Sequence, residues 1–152
     1  MSKEAEVLLA EYSGHGVSFL YPGYWELSEE EDGQDIVLSV AVDETCFWLL
    51  RIIPSCPPAQ QVLDSCLQAF QEEYEDLESE PVDLQISGMD ATSVRLRFSC
   101  VELLNSAFIS SVRVSEASFL CLWQCTDHEL EQVDYILDQM TQSITILSLL
   151  DE

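Results

Sequence analysis

Val17-Ser18-Phe19-Leu20-Tyr21-Pro22-Gly23-Tyr24-Trp25 reads as a short strand that breaks at a proline corner and restarts on a tryptophan. The alternation of Val17, Phe19 and Tyr21 on one side suits a half-buried strand. Pro22-Gly23 cannot continue the ladder and turns the chain. Trp25 to Ser28 then forms a second short strand. Nothing in this stretch carries reaction chemistry, so it speaks to architecture first.

Working outward, Glu29-Glu30-Glu31-Asp32-Gly33-Gln34-Asp35 reads as an acidic turn with Asp-Gly at its centre. Ile36 to Val42 and Cys46 to Ile53 form a hairpin across Asp43-Glu44-Thr45. Pro54-Ser55-Cys56-Pro57-Pro58 stops the sheet and opens a helix. Its apolar positions, Ala59, Val62, Leu63, Cys66, Leu67, Phe70, Tyr74 and Leu77, fall at alternating threes and fours on one face. Beyond Pro81 come Val82 to Ser87, an alternating run Ala91 to Leu103, and the segments Ala107 to Val114 and Ser118 to Cys125, taken together as a three-strand meander. In the alternating run Val94, Leu96 and Phe98 share one face, while Ser93, Arg95, Arg97 and Ser99 share the other. Thr126 to Glu129 has the S/T-x-x-E pattern of a capping box. The helix after it presents Leu130, Val133, Ile136, Leu137, Met140 and Ile144. Residues 1–15 form a weak lead-in with a helical turn around Val7-Leu8-Leu9, and the apolar tail Ile146 to Leu150 is expected to pack on its own chain.

The expected fold is therefore α+β: a three-layer α/β/α sandwich with a central antiparallel sheet, in the order strands, helix, three-strand meander, helix. The 152 residues fit one domain, 1–152, with a core at about 16–146. This order and the Phe19-x-Tyr21-Pro22-x-x-Trp25 opening resemble the PsbP-like superfamily, as does the Gly88-Met89-Asp90-Ala91 entry to the meander. That superfamily includes the photosystem II extrinsic protein, a Ran-binding nuclear-import factor, and bacterial lipoprotein and secretion-chaperone relatives. The resemblance implies a domain that binds other proteins and performs no chemistry. The chain lacks the lysines through which the photosynthetic members engage acidic partners, so that mode of binding does not carry over.

Charge narrows the partners. There are 29 Asp and Glu against five Lys and Arg, a formal net charge of −24. No basic patch can be built from Lys3, Arg51, Arg95, Arg97 and Arg113, which excludes nucleic acid and disfavours anionic membranes. Another protein is the expected partner; the charge is read first as keeping the chain soluble and monomeric, with attraction to a partner's basic surface as the alternative. No apolar segment follows Met1-Ser2-Lys3-Glu4-Ala5-Glu6 as in a secretory leader, and no run reaches the ~20 apolar residues of a membrane helix. A cytoplasmic location is expected.

The partner-binding candidates fall in three groups. Tyr21, Tyr24 and Trp25, with Trp48, are read first as core and corner packing and alternatively as lining an apolar groove for a partner. Glu29, Glu30, Glu31 and Asp32 concentrate negative charge. Arg95 and Arg97 point to one side of a central strand and need carboxylate partners if covered. Alternatively, these two arginines line a pocket of a small-ligand-binding protein or an enzyme. No catalytic residue, cofactor or metal is assigned. Cys121, Cys125 and His128 spell C-x3-C-x2-H, but cysteines four apart on a strand stand ~13 Å apart, too far for a shared zinc. The acidic run lacks the spacing of a calcium loop. Cys66, Cys100 and Cys121 read as small buried hydrophobes, with Cys56 the most exposed cysteine.

Overall fold

A computed structural model describes residues 10–147. The chain forms β1 (Ala10–Gly14), β2 (Val17–Tyr21), β3 (Glu26–Asp32), β4 (Asp35–Ala41) and β5 (Phe47–Ile53), then α1 (Ala59–Glu73). There follow β6 (Glu78–Ile86), β7 (Met89–Cys100), β8 (Leu103–Arg113), β9 (Ser118–Thr126), α2 (Asp127–Gln142) and β10 (Thr145–Ile146). The class is α+β. Seven strands form one sheet in the order β3-β4-β5-β9-β8-β7-β6, and β1-β2-β10 form a second, smaller one. All pairings are antiparallel.

Side-chain alternation gives the large sheet two apolar faces. On one, Val62 and Leu63 of α1 pack with Val94, Leu96, Phe98, Ala107, Ile109 and Leu120. On the other, Ile136, Leu137 and Met140 of α2 join Trp48, Leu50, Phe119 and Cys121, together with Val17 and Phe19 from the small sheet. The Phe19 ring lies 4.8 Å, centre to centre, from the Trp48 ring, so β2 plugs the centre of this second core. Trp25, at the restart after the proline corner, is buried in the same cluster.

Several boundaries differ from expectation. Four strands separate the helices where a three-strand meander is expected, since the segment after Pro81 is a full ladder member, β6, which begins at Glu78 and runs through Pro81. β6 is an edge strand, where a residue without an N–H costs no ladder bond. Glu29 to Asp32 are strand residues paired with β4, and the turn is confined to Gly33-Gln34. The run Ala91 to Leu103 is likewise interrupted: β7 ends at Cys100 and reverses at Val101-Glu102 into β8. Leu77 lies beyond the end of α1, and Ile146 pairs with Val17 as β10. The helical turn expected at Val7-Leu8-Leu9 and the tail at Leu149-Leu150 lie outside the described residues.

α2 begins as its sequence predicts. The Thr126 side chain accepts from the Glu129 N–H, and the Glu129 carboxylate accepts from the Thr126 N–H at 2.9 Å. Glu129 also accepts from the Thr45 hydroxyl, which ties the β4–β5 connection to the start of α2. That anchoring fixes how α2 lies over β8 and β9, and so shapes the groove between them.

Candidate functional site

β7 pairs with β6 on one side and β8 on the other, and this register sets the site. Phe108 of β8 stands opposite Arg95, and Trp123 of β9 stands opposite Phe108. One row therefore runs Arg95–Phe108–Trp123 on the sheet face that α2 covers. Beside it, Ser106 stands opposite Arg97. Over this face α2 places Leu130, Asp134, Tyr135 and Asp138, enclosing a cavity of about 540 Å³ with the sheet residues. Its volume falls within the usual range for ligand sites.

The two arginines have different surroundings. Arg97 donates to Asp127 Oδ2 at 2.7 Å, and Asp127 Oδ1 accepts from the Ser106 hydroxyl at 3.0 Å. That guanidinium is a strut between β7, β8 and the first residue of α2. Arg95 has no carboxylate oxygen within 4.0 Å among the described residues, although Glu80 stands across the ladder from it. Its guanidinium lies 6.0 Å from the centre of the Phe108 ring, which stacks on Trp123 at 5.7 Å. Of the pair, Arg95 is free to meet a ligand.

The opposite wall is anionic. Asp134 and Asp138 lie one turn apart on α2 and so share a face. Partial desolvation in the groove wall, reinforced by the charge of Asp134, pushes the Asp138 carboxyl above its ordinary value, although its side chain stays exposed. Asp138 accepts from the Gln142 amide at 2.8 Å and takes part in no ion pair among the described residues. The groove thus has a cationic wall, an aromatic floor and a carboxylate wall. Neither His15 nor His128 lines it.

The other candidates lie elsewhere. β3 and β7 are separated by β4, β5, β9 and β8, so the acidic residues and the arginines do not form one site. Glu29 accepts from Tyr12 at 3.0 Å and from His15 at 2.9 Å. The His15 bond, with that from Tyr12, lowers the Glu29 pKa; burial and Glu29 together push the Tyr12 hydroxyl up to about 12. Asp32 and Asp35 clamp Arg51 at 2.7 and 2.8 Å. Glu30 and Glu31 remain exposed on the edge strand. Trp25 is core, at 7 % exposure, and Tyr21 is half-buried against Phe19. Tyr24, 70 % exposed, stands apart from both. The aromatic trio therefore forms a packed corner with one exposed ring.

A second cavity, about 370 Å³, lies on the α1 face between Ile53, Pro57, Val62, Cys66 and Leu120. Its charged group is Arg51, already held by two carboxylates, so it offers less recognition chemistry than the Arg95 groove. Burial pushes the Cys66 thiol beside it up to about 11. Cys121 packs against Thr141 and Cys125 against Cys46, and burial pushes the Cys121 thiol up to about 12. Among the described residues no three His, Cys, Asp or Glu side chains are grouped to hold a metal ion. Cys56 is half-buried, its thiol donating to the Val114 carbonyl at 3.1 Å.

Nothing in the sequence pattern marks out Phe108, Trp123, Asp134, Tyr135 or Asp138. The rings read as ordinary alternating strand residues, and the acids as a solvated helix face. Only the register across three strands aligns them with Arg95.

No protein-family model and no curated protein matches the sequence. Solved structures do share its fold. Cyanobacterial PsbP (CyanoP) from Synechocystis sp. PCC 6803 is 15 % identical, with a TM-score of 0.57, covering 92 % of this chain and 93 % of that one. PA94, a protein of unknown function from Pseudomonas aeruginosa, is 13 % identical with a TM-score of 0.55, over 88 % and 94 %. LpqN of Mycobacterium tuberculosis, involved in cell envelope biogenesis, is 14 % identical with a TM-score of 0.52, over 91 % and 90 %. With its opening strand, proline corner and two helices around an antiparallel sheet, the chain has the fold of the PsbP-like proteins.

Proposed function

We propose that this chain is a non-catalytic protein-interaction module, a three-layer α/β/α domain spanning 1–152 that works in the cytoplasm and recruits a partner with a basic surface. The observation that carries this is the one-signed surface. Of five basic residues against 29 acidic ones, Arg51 and Arg97 are neutralised by the chain's own carboxylates. What remains outward is overwhelmingly carboxylate, with Glu30 and Glu31 exposed along β3, against Arg95 and Arg113 as the exposed cations outside these ion pairs among the described residues. Such a surface attracts cationic proteins over about a Debye length, ~8 Å at physiological salt. No helix among the described residues is long and apolar enough to cross a membrane. The kinship of fold with PsbP-like proteins is in keeping with binding rather than chemistry.

Affinity capture with the tagged chain at low salt and at ~1 M salt, where the Debye length is ~3 Å, tests this. A basic protein is expected at low salt, released at high salt and diminished by the E30Q/E31Q variant. Retention of nothing under either condition, or capture indifferent to salt and to the variant, would overturn the proposal. A second reading, a small-ligand receptor around Arg95 and Arg97, is favoured by the unpaired Arg95 guanidinium. It is weakened by Arg97, which Asp127 already occupies.

A further inference from the structure

We propose that the groove between the β7–β9 face and α2 docks an extended segment of a partner protein presenting an acidic, an apolar and a basic side chain at alternate positions. This rests on reading the chain as an interaction module and names where and how a partner sits.

Three features of the groove each ask for one of those side chains. Arg95 is exposed and lacks a carboxylate within 4.0 Å among the described residues, in a chain where Arg51 holds two and Arg97 one. A partner carboxylate would supply what Glu80, opposite it in the ladder, does not reach to give. A guanidinium binds carboxylate in a planar, two-pronged way and at the same time lies over an aromatic ring. Next to it, Phe108 and Trp123 present stacked, half-buried rings, a floor for an aromatic or aliphatic side chain. Beyond them Asp134 and Asp138 face the cavity without a cation, and their mutual repulsion falls when a basic side chain enters.

The order and spacing also fit. Arg95, Phe108 and Trp123 lie on adjacent strands, ~4.8 Å apart per step, so the run from Arg95 to Trp123 covers ~10 Å before the α2 wall. In an extended peptide, side chains on one face recur every ~6.8 Å, so three of them span ~14 Å. An opposite charge at each end also discriminates. A purely basic segment drawn by the −24 surface meets Arg95, and a purely acidic one meets Asp134 and Asp138.

The test is a fluorescence titration of the whole chain with an acetylated, amidated pentapeptide, Asp-Ser-Phe-Ser-Lys. Trp25 and Trp48 are buried, at 7 % and 0 % exposure, so a ligand in the groove reports through Trp123. Saturable binding is expected, weakened about tenfold or more by R95Q and by D134N/D138N, with no signal in W123F. Lys-Ser-Phe-Ser-Lys is expected to bind more weakly at matched salt. Arg95, Asp134 and Asp138 are exposed, and coincident thermal unfolding of variant and parent checks that the fold is retained. Failure of the peptide to bind, equal affinity in R95Q, an undiminished signal in W123F, or equal binding of the two-lysine peptide would overturn the assignment. Each leaves the anionic-surface reading standing, because E30Q/E31Q and salt test that separately at the far edge of the sheet.

Discussion

Trp48 shows how a single polar atom is satisfied inside this core. The ring is fully buried, and its indole N–H donates to the Thr141 hydroxyl at 3.0 Å, which in turn donates to the Leu137 carbonyl at 3.0 Å. Thr141→Val keeps the shape and removes the acceptor, leaving a buried donor without a partner. A loss of about 1–3 kcal/mol is expected in urea denaturation. Asp138 gives the opposite sign. Partial desolvation and Asp134 raise its folded pKa above the ordinary 3.8. A raised carboxyl favours the protonated fold, so this contribution is present in acid and is lost as pH rises through the raised value. At neutral pH the ionised group therefore weakens the fold. D138N should raise the unfolding temperature at pH 7 and give no gain near pH 3, as differential scanning calorimetry at the two pH values would show. The same substitution is expected to weaken peptide binding, the usual opposition between a stable site and a working one.

Among the elements, the tight turns explain most of what the sequence concealed. Gly88 follows Ser87 at φ +80°, and Gly16 follows His15 at φ +81°, so the glycine in each pair marks its hairpin. The β7–β8 turn carries no such mark. Val101 and Glu102 take φ values of 52° and 65°, a left-handed pair that normally selects Asn-Gly, and Val101 is 86 % exposed. A run ending in Cys100-Val101-Glu102-Leu103 looks like continuous strand, which is why its pattern predicts a reversal only after Leu103. Replacing the pair by V101N/E102G should relieve the backbone and raise stability by about 1–2 kcal/mol. Chemical denaturation decides this; an unchanged midpoint would show that the left-handed pair stores no appreciable strain. The capping box at Thr126 and Glu129, by contrast, needs only local chemistry, and the pattern predicted the start of α2 correctly.

For the whole molecule, 29 carboxylates outnumber five basic residues and repel one another. Raising sodium chloride from about 10 mM to 150 mM shortens the Debye length from ~30 Å to ~8 Å. The unfolding temperature at pH 7 is expected to rise by several degrees, measured calorimetrically; a flat response would show that the ion pairs of Arg51 and Arg97 already offset the repulsion.

The sequence by itself determined the α+β class, both helices, most strands, the anionic character and the shared face of Arg95 and Arg97. These follow from spacing of two and 3.6 residues and from a count of charges, which need no knowledge of what pairs with what. Only the tertiary structure decided which arginine is free, that four strands lie between it and the acidic strand, and that Phe108, Trp123, Asp134 and Asp138 complete its groove. Those facts depend on register and on where α2 settles over the sheet. Both are fixed by long-range burial around Trp48 and Phe19, whose partners are scattered along the chain.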